Sequence, residues 1–230
     1  MIIDIFLSSY PLFLKATWLT VQLTAVALIL GCVVGLVIAF FRISDSKALN
    51  YIAHTYITVI RGTPLIVQIC ILYFGLANMV TLSQFWAGAI ALAVHNGAYI
   101  AEIFRGSIQS IDRGQMEASR SLGMSYPLAM RRIILPQAFR RAIPSLGNQF
   151  IIGLKDSSLV AYVGMQDLWG TGLGEAASNY KQLETYMVVG LYYLVLIMIF
   201  SYFVNKLEAR LAKGKTPTKK QTKDNTSVAA

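Results

Sequence analysis

The chain has 230 residues, of which 56% are hydrophobic and only 13% are charged, and its mean hydropathy is +0.57. This composition is too apolar for an ordinary soluble domain. The formal net charge of +9 often indicates nucleic-acid binding, but no basic patch interleaved with stacking aromatic residues occurs, so we do not expect nucleic acid as a partner. We expect the charge to orient the chain in a membrane and to contact anionic lipid.

Long charge-free stretches predict an all-α integral membrane protein. They lie between Lys15 and Arg42, between Arg61 and Glu102, and between Glu184 and Lys206. A bilayer core needs about 20 mostly apolar residues per helix, so the middle stretch is long enough for two helices. We place five spans, at residues 17–41, 52–75, 84–105, 143–165 and 185–205. Lys155 and Asp156 interrupt the fourth of these.

Basic residues are divided unequally between the two sides that five spans define. One side holds sixteen, namely Arg42, Lys47, Arg105, Arg113, Arg120, Arg131, Arg132, Arg140, Arg141 and the seven basic residues from Lys206 to Lys223. The other side holds Lys15, Lys155 and Lys181. Because Lys and Arg accumulate in cytoplasmic loops, we expect a short external N-terminal segment at residues 1–16, a membrane domain at 17–206 and a basic cytoplasmic tail at 207–230. The tail has little to bury and is predicted to be disordered.

The cytoplasmic loop 105–141 is long for a connection, and such loops are usually functional. Good helix formers at residues 115–122 are followed by Gly123, at the position where a helix C-cap is expected. Ser125 can cap a second helix, which Pro136 then disturbs. The loop is therefore predicted to contain a short helix, a glycine corner and another helix.

No catalytic or metal centre is predicted from the sequence. His54 and His95 lack metal-ligand or catalytic companions. Cys32 and Cys70 both fall in apolar spans without the spacing of a zinc site, and they are expected to pack as small hydrophobic residues. A membrane enzyme is therefore not favoured. A self-contained channel or secondary transporter, working without ATP, remains an alternative, although the internal repeats usual in secondary transporters are not found.

One motif in the loop carries a resemblance to a known family. Glu117-Ala118-Ser119, three residues, Gly123, nine residues and then 133–136 (Ile-Ile-Leu-Pro) resembles the EAA signature of ABC importer permeases. The departure is Ser119, a small residue in place of the second alanine. The chain is also similar to the polar amino acid branch of that family, at residues 61–65, 97–102, 114–118, 135–138 and 154–159.

The resemblance implies a type I ABC importer permease fold in the bacterial cytoplasmic (inner) membrane, carrying a polar amino acid. In that family the EAA segment is a coupling helix that docks into a cleft of a separate ATPase. Ala118 and Ser119 would supply its small face, Gly123 its turn, and Glu117 a pair with Arg120 or with the partner. The implied partners are a dimer of ATP-binding subunits holding ATP and Mg, an extracytoplasmic solute-binding protein and a second permease subunit, identical or not. This chain itself would bind no cofactor and hydrolyse no ATP.

Polar residues at membrane depth are candidates for the substrate pathway. They are His95, Asn96, Tyr99, Glu102, Lys155, Asp156 and Ser158. An amino acid zwitterion needs a cation or amide donors for its carboxylate and an anion for its ammonium group. The alternative is structural pairing of Arg61 with Glu102, or of Lys155 with Asp156, and the sequence leaves both interpretations open.

Overall fold

The computed structural model describes residues 2–212, whose regular structure is helical. The α-helices are α1 (Ile2–Ile43), α2 (Lys47–Gly62), α3 (Leu65–Cys70), α4 (Gln84–Gln109), α5 (Arg113–Ser121), α6 (Tyr126–Ala129), α7 (Leu135–Asp156), α8 (Leu168–Asn179) and α9 (Gln182–Ala212). The chain continues from α3 into a π-helical segment, Ile71–Gly75, from α6 into another, Met130–Ile134, and from α7 into a 3-10 helix, Ser157–Val163. The predicted all-α class is confirmed.

Three described helices are long and apolar enough to cross a membrane, at Asp4–Ile43, Gln84–Gln109 and Gln182–Leu211. They contain the first, third and fifth predicted spans. The first and last are longer than predicted. Residues 2–16 of the predicted external segment are helical and continuous with α1. Residues 207–212 of the predicted disordered tail belong to α9, and residues 213–230 lie outside the described part of the chain.

The second predicted span, residues 52–75, is not one straight helix. The chain bends by 103° between its two helical parts, Lys47–Gly62 and Leu65–Gly75, which are apolar and long enough for a span only when taken together. Pro64 causes the break, because it has no N–H for the Ile60 carbonyl and disfavours helical backbone at the preceding residue. Thr63 is accordingly extended, with φ −117° and ψ 142°.

The fourth predicted span, residues 143–165, is divided between α7 and the 3-10 helix that follows it. Among residues 2–212, α7 is long but does not belong to the helices apolar enough to span a membrane on composition alone. Its charged residues are the reason, since Arg140, Arg141, Lys155 and Asp156 lie within it. The 3-10 helix ends at Gly164, whose φ of +90° closes the turn.

Helix α4 forms the centre of the molecule. In its most apolar window 67% of residues are buried, against 33% for α1 and 17% for α9, so α4 is enclosed by protein while α1 and α9 leave apolar side chains for lipid. Its buried face is built largely from small residues, namely Ala87, Gly88, Ala89, Ala91, Ala93, Gly97, Ala98 and Ala101. Small residues let helix backbones approach closely in a membrane.

Gly35 shows how close this approach is. A Cβ atom at Gly35 would lie 2.7 Å from Cγ2 of Ile100 and 3.0 Å from the backbone nitrogen of Ala101. The α1–α4 contact therefore requires glycine at this position, since a backbone atom cannot move aside as a flexible side chain can.

Replacing Gly35 by Ala is expected to lower the thermal stability of the detergent-solubilised protein, because the added methyl group overpacks the α1–α4 contact by about 1–3 kcal/mol. Thermal unfolding followed by circular dichroism measures the effect. Gly106→Ala is the matched control, since Gly106 is also helical but has nothing within 4 Å of the added Cβ. A stability of Gly35→Ala equal to that of Gly106→Ala would contradict the expected packing.

Candidate functional site

The predicted helix and glycine corner of the loop are present in the structure. Asp112 caps the N-terminus of α5, where its carboxylate accepts a hydrogen bond of 2.7 Å from the Gly114 N–H. After the C-terminus of α5 the chain turns at Gly123, where φ is +83°. The Gly123 N–H bonds to the Arg120 carbonyl at 3.0 Å, and the Met124 N–H bonds to the Ser119 carbonyl at 3.1 Å. This pair of bonds is the Schellman arrangement, which favours glycine at its left-handed position.

The structure separates the four predicted coupling residues into two groups. Glu117, Ala118 and Gly123 are exposed. Ser119 is only 6% exposed, and its hydroxyl donates to the Gln115 carbonyl at 2.6 Å. The predicted small outward face therefore includes Ala118 but not Ser119, which lies on the inner side of α5 where the helix packs against the rest of the loop.

Two further details of the loop differ from the expectation. The Arg120 guanidinium donates to the Met124 carbonyl at 2.9 Å and forms no salt bridge with Glu117 within the described chain. Ser125 begins α6 with extended backbone, but its side chain makes no capping hydrogen bond. The disturbance expected from Pro136 is found as the π-helical segment Met130–Ile134 immediately before it.

The loop is anchored to the membrane helices by apolar packing and by one arginine. Ile108, Ile111, Ile134 and Ala138 form a buried cluster at this end of the bundle. Arg141 of α7 donates hydrogen bonds from Nη1 to the backbone oxygen of Ser110 and, at 2.9 Å, to its hydroxyl oxygen. Helix α7 is thereby tied to the residue that links α4 to the start of the loop.

At membrane depth, two predicted residues on α4 lie together. The rings of His95 and Tyr99 have centroids 5.4 Å apart. The guanidinium carbon of Arg61 lies 4.9 Å from the Tyr99 centroid, which is a cation–π contact. Gln68 of α3 reaches the same place, with Oε1 at 3.2 Å from Nδ1 of His95. Nothing in the sequence pattern singled out Gln68.

Glu102 is part of a different cluster. Its carboxylate forms a salt bridge of 2.6 Å with Arg105 and lies 4.0 Å from Nε of Arg42. Arg42 also donates to the side chain of Asn50 at 2.7 Å, so this cluster joins α1, α2 and α4. The structural pair considered from sequence, Arg61 with Glu102, is not a salt bridge in residues 2–212. Glu102 is paired, but with other arginines.

Asn96 is buried in a helix–helix contact. It is 1% exposed, and Gln149 of α7 is 6% exposed. Nε2 of Gln149 donates to Oδ1 of Asn96 at 2.9 Å. This hydrogen bond pairs the two amides in an apolar interior, where an unpaired polar group is costly. Asn96 therefore fixes α4 against α7 and does not face an open space.

The remaining predicted residues lie at the end of α7. Lys155 is exposed, Asp156 is half-buried, and the Ser158 hydroxyl donates to the Lys155 carbonyl at 2.6 Å. No salt bridge joins Lys155 to Asp156 in the described chain. Asp156, the last residue of α7, is near enough to His95, in the middle of α4, for their charges to interact.

Helix α7 also carries a polar stripe that sequence reasoning missed. Arg141, Ser145, Asn148 and Lys155 are all exposed, and their spacing of four, three and seven residues places them on one helix face. The adjacent face is buried, at Ala138, Ala142, Gln149 and Gly153. A polar stripe on a helix of a membrane protein faces water or another protein more favourably than lipid.

A family model described as "Binding-protein-dependent transport system inner membrane component" matches residues 13–213. The chain belongs to this family. It is a multi-pass permease subunit, and the predicted family resemblance is confirmed.

Relatives of this permease include several named amino acid transport proteins. The arginine transport system permease protein ArtQ of Bacillus subtilis (strain 168) is 36% identical over 203 residues, covering 87% of this chain and 93% of the relative. The glutamine transport system permease protein GlnP of Escherichia coli (strain K12) is 37% identical over 204 residues, with the same coverage. The L-cystine transport system permease protein TcyL of B. subtilis is 36% identical over 205 residues, covering 86% of each chain.

Solved structures agree with this assignment. The permease resembles a chain from the crystal structure of an amino acid ABC transporter with histidines, with a TM-score of 0.83 and 40% identity, over 89% of this chain and 96% of that one. A chain of the inward-facing MetNI methionine ABC transporter gives a TM-score of 0.76 at 19% identity, over 89% and 98% of the two chains. The second likeness establishes the fold alone, which is the predicted ABC importer permease fold.

Proposed function

We propose that this permease subunit carries a polar amino acid into the cytoplasm as one half of a dimeric ABC importer. The observation that carries the proposal is the likeness of nearly the whole chain to permeases named for arginine, glutamine and cystine transport. These relatives differ in the named substrate at nearly equal identity. The proposal therefore stops at the class of polar amino acids.

Exposed charge at the end of α7 supports a substrate pathway there. Lys155 supplies a cation for the substrate carboxylate, and Asp156 supplies an anion for its ammonium group. His95, which packs against Tyr99, is near enough to Asp156 for their charges to interact, and the exposed Ser145 and Asn148 extend the polar surface along α7. Of the residues predicted for the pathway, Asn96 and Glu102 are engaged in contacts within the chain, so their role is to hold this surface in place.

The exposed face of α5 supports coupling to a separate ATPase. Glu117 and Ala118 project outward, next to a corner at Gly123 that is open to solvent. A short helix fixed at both ends by backbone hydrogen bonds is suited to docking in a groove without further ordering. ATP and Mg would be held by the partner ATPase dimer, and a solute-binding protein would deliver the amino acid on the opposite side.

The distribution of basic residues supports an orientation with the α5 end in the cytoplasm. Arg113, Arg120, Arg131 and Arg132 all lie in or beside the loop, as the positive-inside rule expects of a cytoplasmic segment. The N-terminus is then outside. The second permease subunit, identical or not, would cover the polar stripe of α7 and complete the pathway.

Uptake by proteoliposomes tests the function. The permease would be reconstituted with its co-encoded ATPase, its binding protein and any second permease, and labelled polar amino acids would be offered singly, with and without ATP at the ATPase side. We expect uptake of one or a few amino acids that requires both ATP and the binding protein. Uptake independent of ATP would instead identify the alternative, a channel or secondary transporter.

A further inference from the structure

One side chain, Gln68 of α3, forms hydrogen bonds across the break between α2 and α3. Gln68 directs its amide nitrogen at three oxygen atoms, the Ile60 carbonyl at 2.9 Å, the Thr63 carbonyl at 3.2 Å and the Thr63 hydroxyl at 2.8 Å. The Ile60 carbonyl is the one that would bond to residue 64 in a continuous helix, and Pro64 has no N–H to give. Gln68 therefore satisfies the acceptors that the break leaves open.

The direction of these hydrogen bonds fixes the orientation of the Gln68 amide. The Thr63 hydroxyl donates its proton to the Val59 carbonyl at 2.9 Å, so its oxygen can only accept from Gln68. All three neighbours are then acceptors, and the amide nitrogen must face them. The amide oxygen of Gln68 consequently faces His95.

This orientation determines where His95 carries its proton. Since Oε1 of Gln68 is an acceptor only, Nδ1 of His95, 3.2 Å away, must be the donor. A neutral imidazole with a proton on Nδ1 has an acceptor lone pair on Nε2. Within residues 2–212, Nε2 makes no hydrogen bond to the protein, and His95 is half-buried.

A carboxylate near His95 suits a positively charged donor. Asp156, the last residue of α7, is near enough to His95 for their charges to interact, whereas the cation Arg61 is held on the face of the Tyr99 ring. An acceptor nitrogen near a carboxylate matches an ammonium group, which has only protons to donate.

We propose that Gln68 is a positioning residue that holds His95 as the Nδ1–H tautomer, so that Nε2 accepts a hydrogen bond from the ammonium group of the transported amino acid. The proposal rests on the function proposed above. The Gln68 amide then has two roles. It donates hydrogen bonds to the oxygen atoms left without partners at the helix break, and it orients His95.

The tautomer can be measured without transport. The chain contains two histidines, so His54→Gln leaves His95 as the single imidazole, and His54 is exposed, with a hydrogen bond to Thr58 of its own helix. Nitrogen-15 NMR of the assembled transporter in nanodiscs, labelled with 15N-histidine in this permease, is expected at neutral pH to show Nδ1 protonated and Nε2 unprotonated. A proton on Nε2, alone or together with one on Nδ1, would overturn the proposal whatever the transport result.

Transport kinetics test the link to substrate. Gln68→Leu is expected to raise the KM for uptake about tenfold, a change equivalent to about 1.4 kcal/mol. In a His95→Ala background the same substitution is expected to change the KM less than twofold, because Gln68 acts through His95. Thr63→Val is the matched control, since Gln68 keeps two carbonyl acceptors, and it is expected to change KM less than twofold.

Equal effects of Gln68→Leu with and without His95 would show that the residue only stabilises the fold, and would overturn the proposal. The NMR result on unsubstituted Gln68 stands even if Gln68→Leu does not fold. Failure of the proposed function can be distinguished from failure of this inference. In the first case the unaltered transporter would show no ATP-dependent uptake, while NMR would still report the His95 tautomer.

Discussion

Replacing Gly123 by Asp is expected to lower ATP-dependent uptake by more than about tenfold while leaving membrane insertion and the amount of folded protein unchanged. An added Cβ at this position has nothing within 4 Å, and Asp tolerates the left-handed backbone better than most residues. The fold should therefore accept the substitution. The loss would come from a charge placed in the contact with the ATPase, where a buried unpaired charge costs about 2–5 kcal/mol.

Gly123→Asn is the matched control, because it has nearly the same shape and the same tolerance for the left-handed conformation but no charge. Uptake and ATPase activity would be measured side by side in proteoliposomes. We expect Gly123→Asn to retain most of its uptake, and Gly123→Asp to hydrolyse ATP without matching transport. Normal uptake by the aspartate variant would remove the coupling role from this corner.

Replacing Asp156 by Asn is expected to reduce uptake about 10- to 100-fold, because the substrate ammonium loses a charge-assisted hydrogen bond of about 1.5–3 kcal/mol. The side chain keeps its shape, and its neighbour His95 keeps its bond to Gln68. Initial rates over a range of amino acid concentrations separate binding from turnover, and we expect the KM to carry most of the effect.

Asp45→Asn is the control for that experiment. Asp45 is exposed in the turn between α1 and α2, so its substitution removes the same charge far from the end of α7. Similar losses in both variants would indicate a general effect of net charge. An unchanged KM for Asp156→Asn would assign the carboxylate a structural role.

Hydropathy predicted the helices that are apolar throughout and failed where the backbone bends. The spans in α1, α4 and α9 follow from stretches without any charge. The region of Pro64 reads as one apolar run of span length, and hydropathy contains no information on the angle between its two parts. Helix α7 was harder to predict as a span from hydropathy. Its polar face, together with Lys155 and Asp156, lowers its mean hydropathy, although another face of the helix is buried.

The first helix and the glycine corner of loop 105–141 were predictable because their hydrogen bonds are local. Gly123 and the helix before it form hydrogen bonds within five residues, so the sequence around the glycine contains the whole arrangement. Asn96 and His95 were recognised as unusual in a span, but their partners, Gln149 and Gln68, lie on other helices. Which polar residue meets which is decided by helix packing, and a single sequence does not show it.

The small residues between α1 and α4 have a mechanical consequence. Glycine and alanine have no side-chain rotamers to change, and Gly35 packs directly against Ile100 and the backbone of Ala101, so we expect the two helices to move as one rigid body. Relative motion must then occur where the backbone is locally irregular, at Pro64 and at the π-helical segments Ile71–Gly75 and Met130–Ile134. Two trapped states of the transporter should superpose on α1 and α4 and differ in the orientation of α2, α3 and α5.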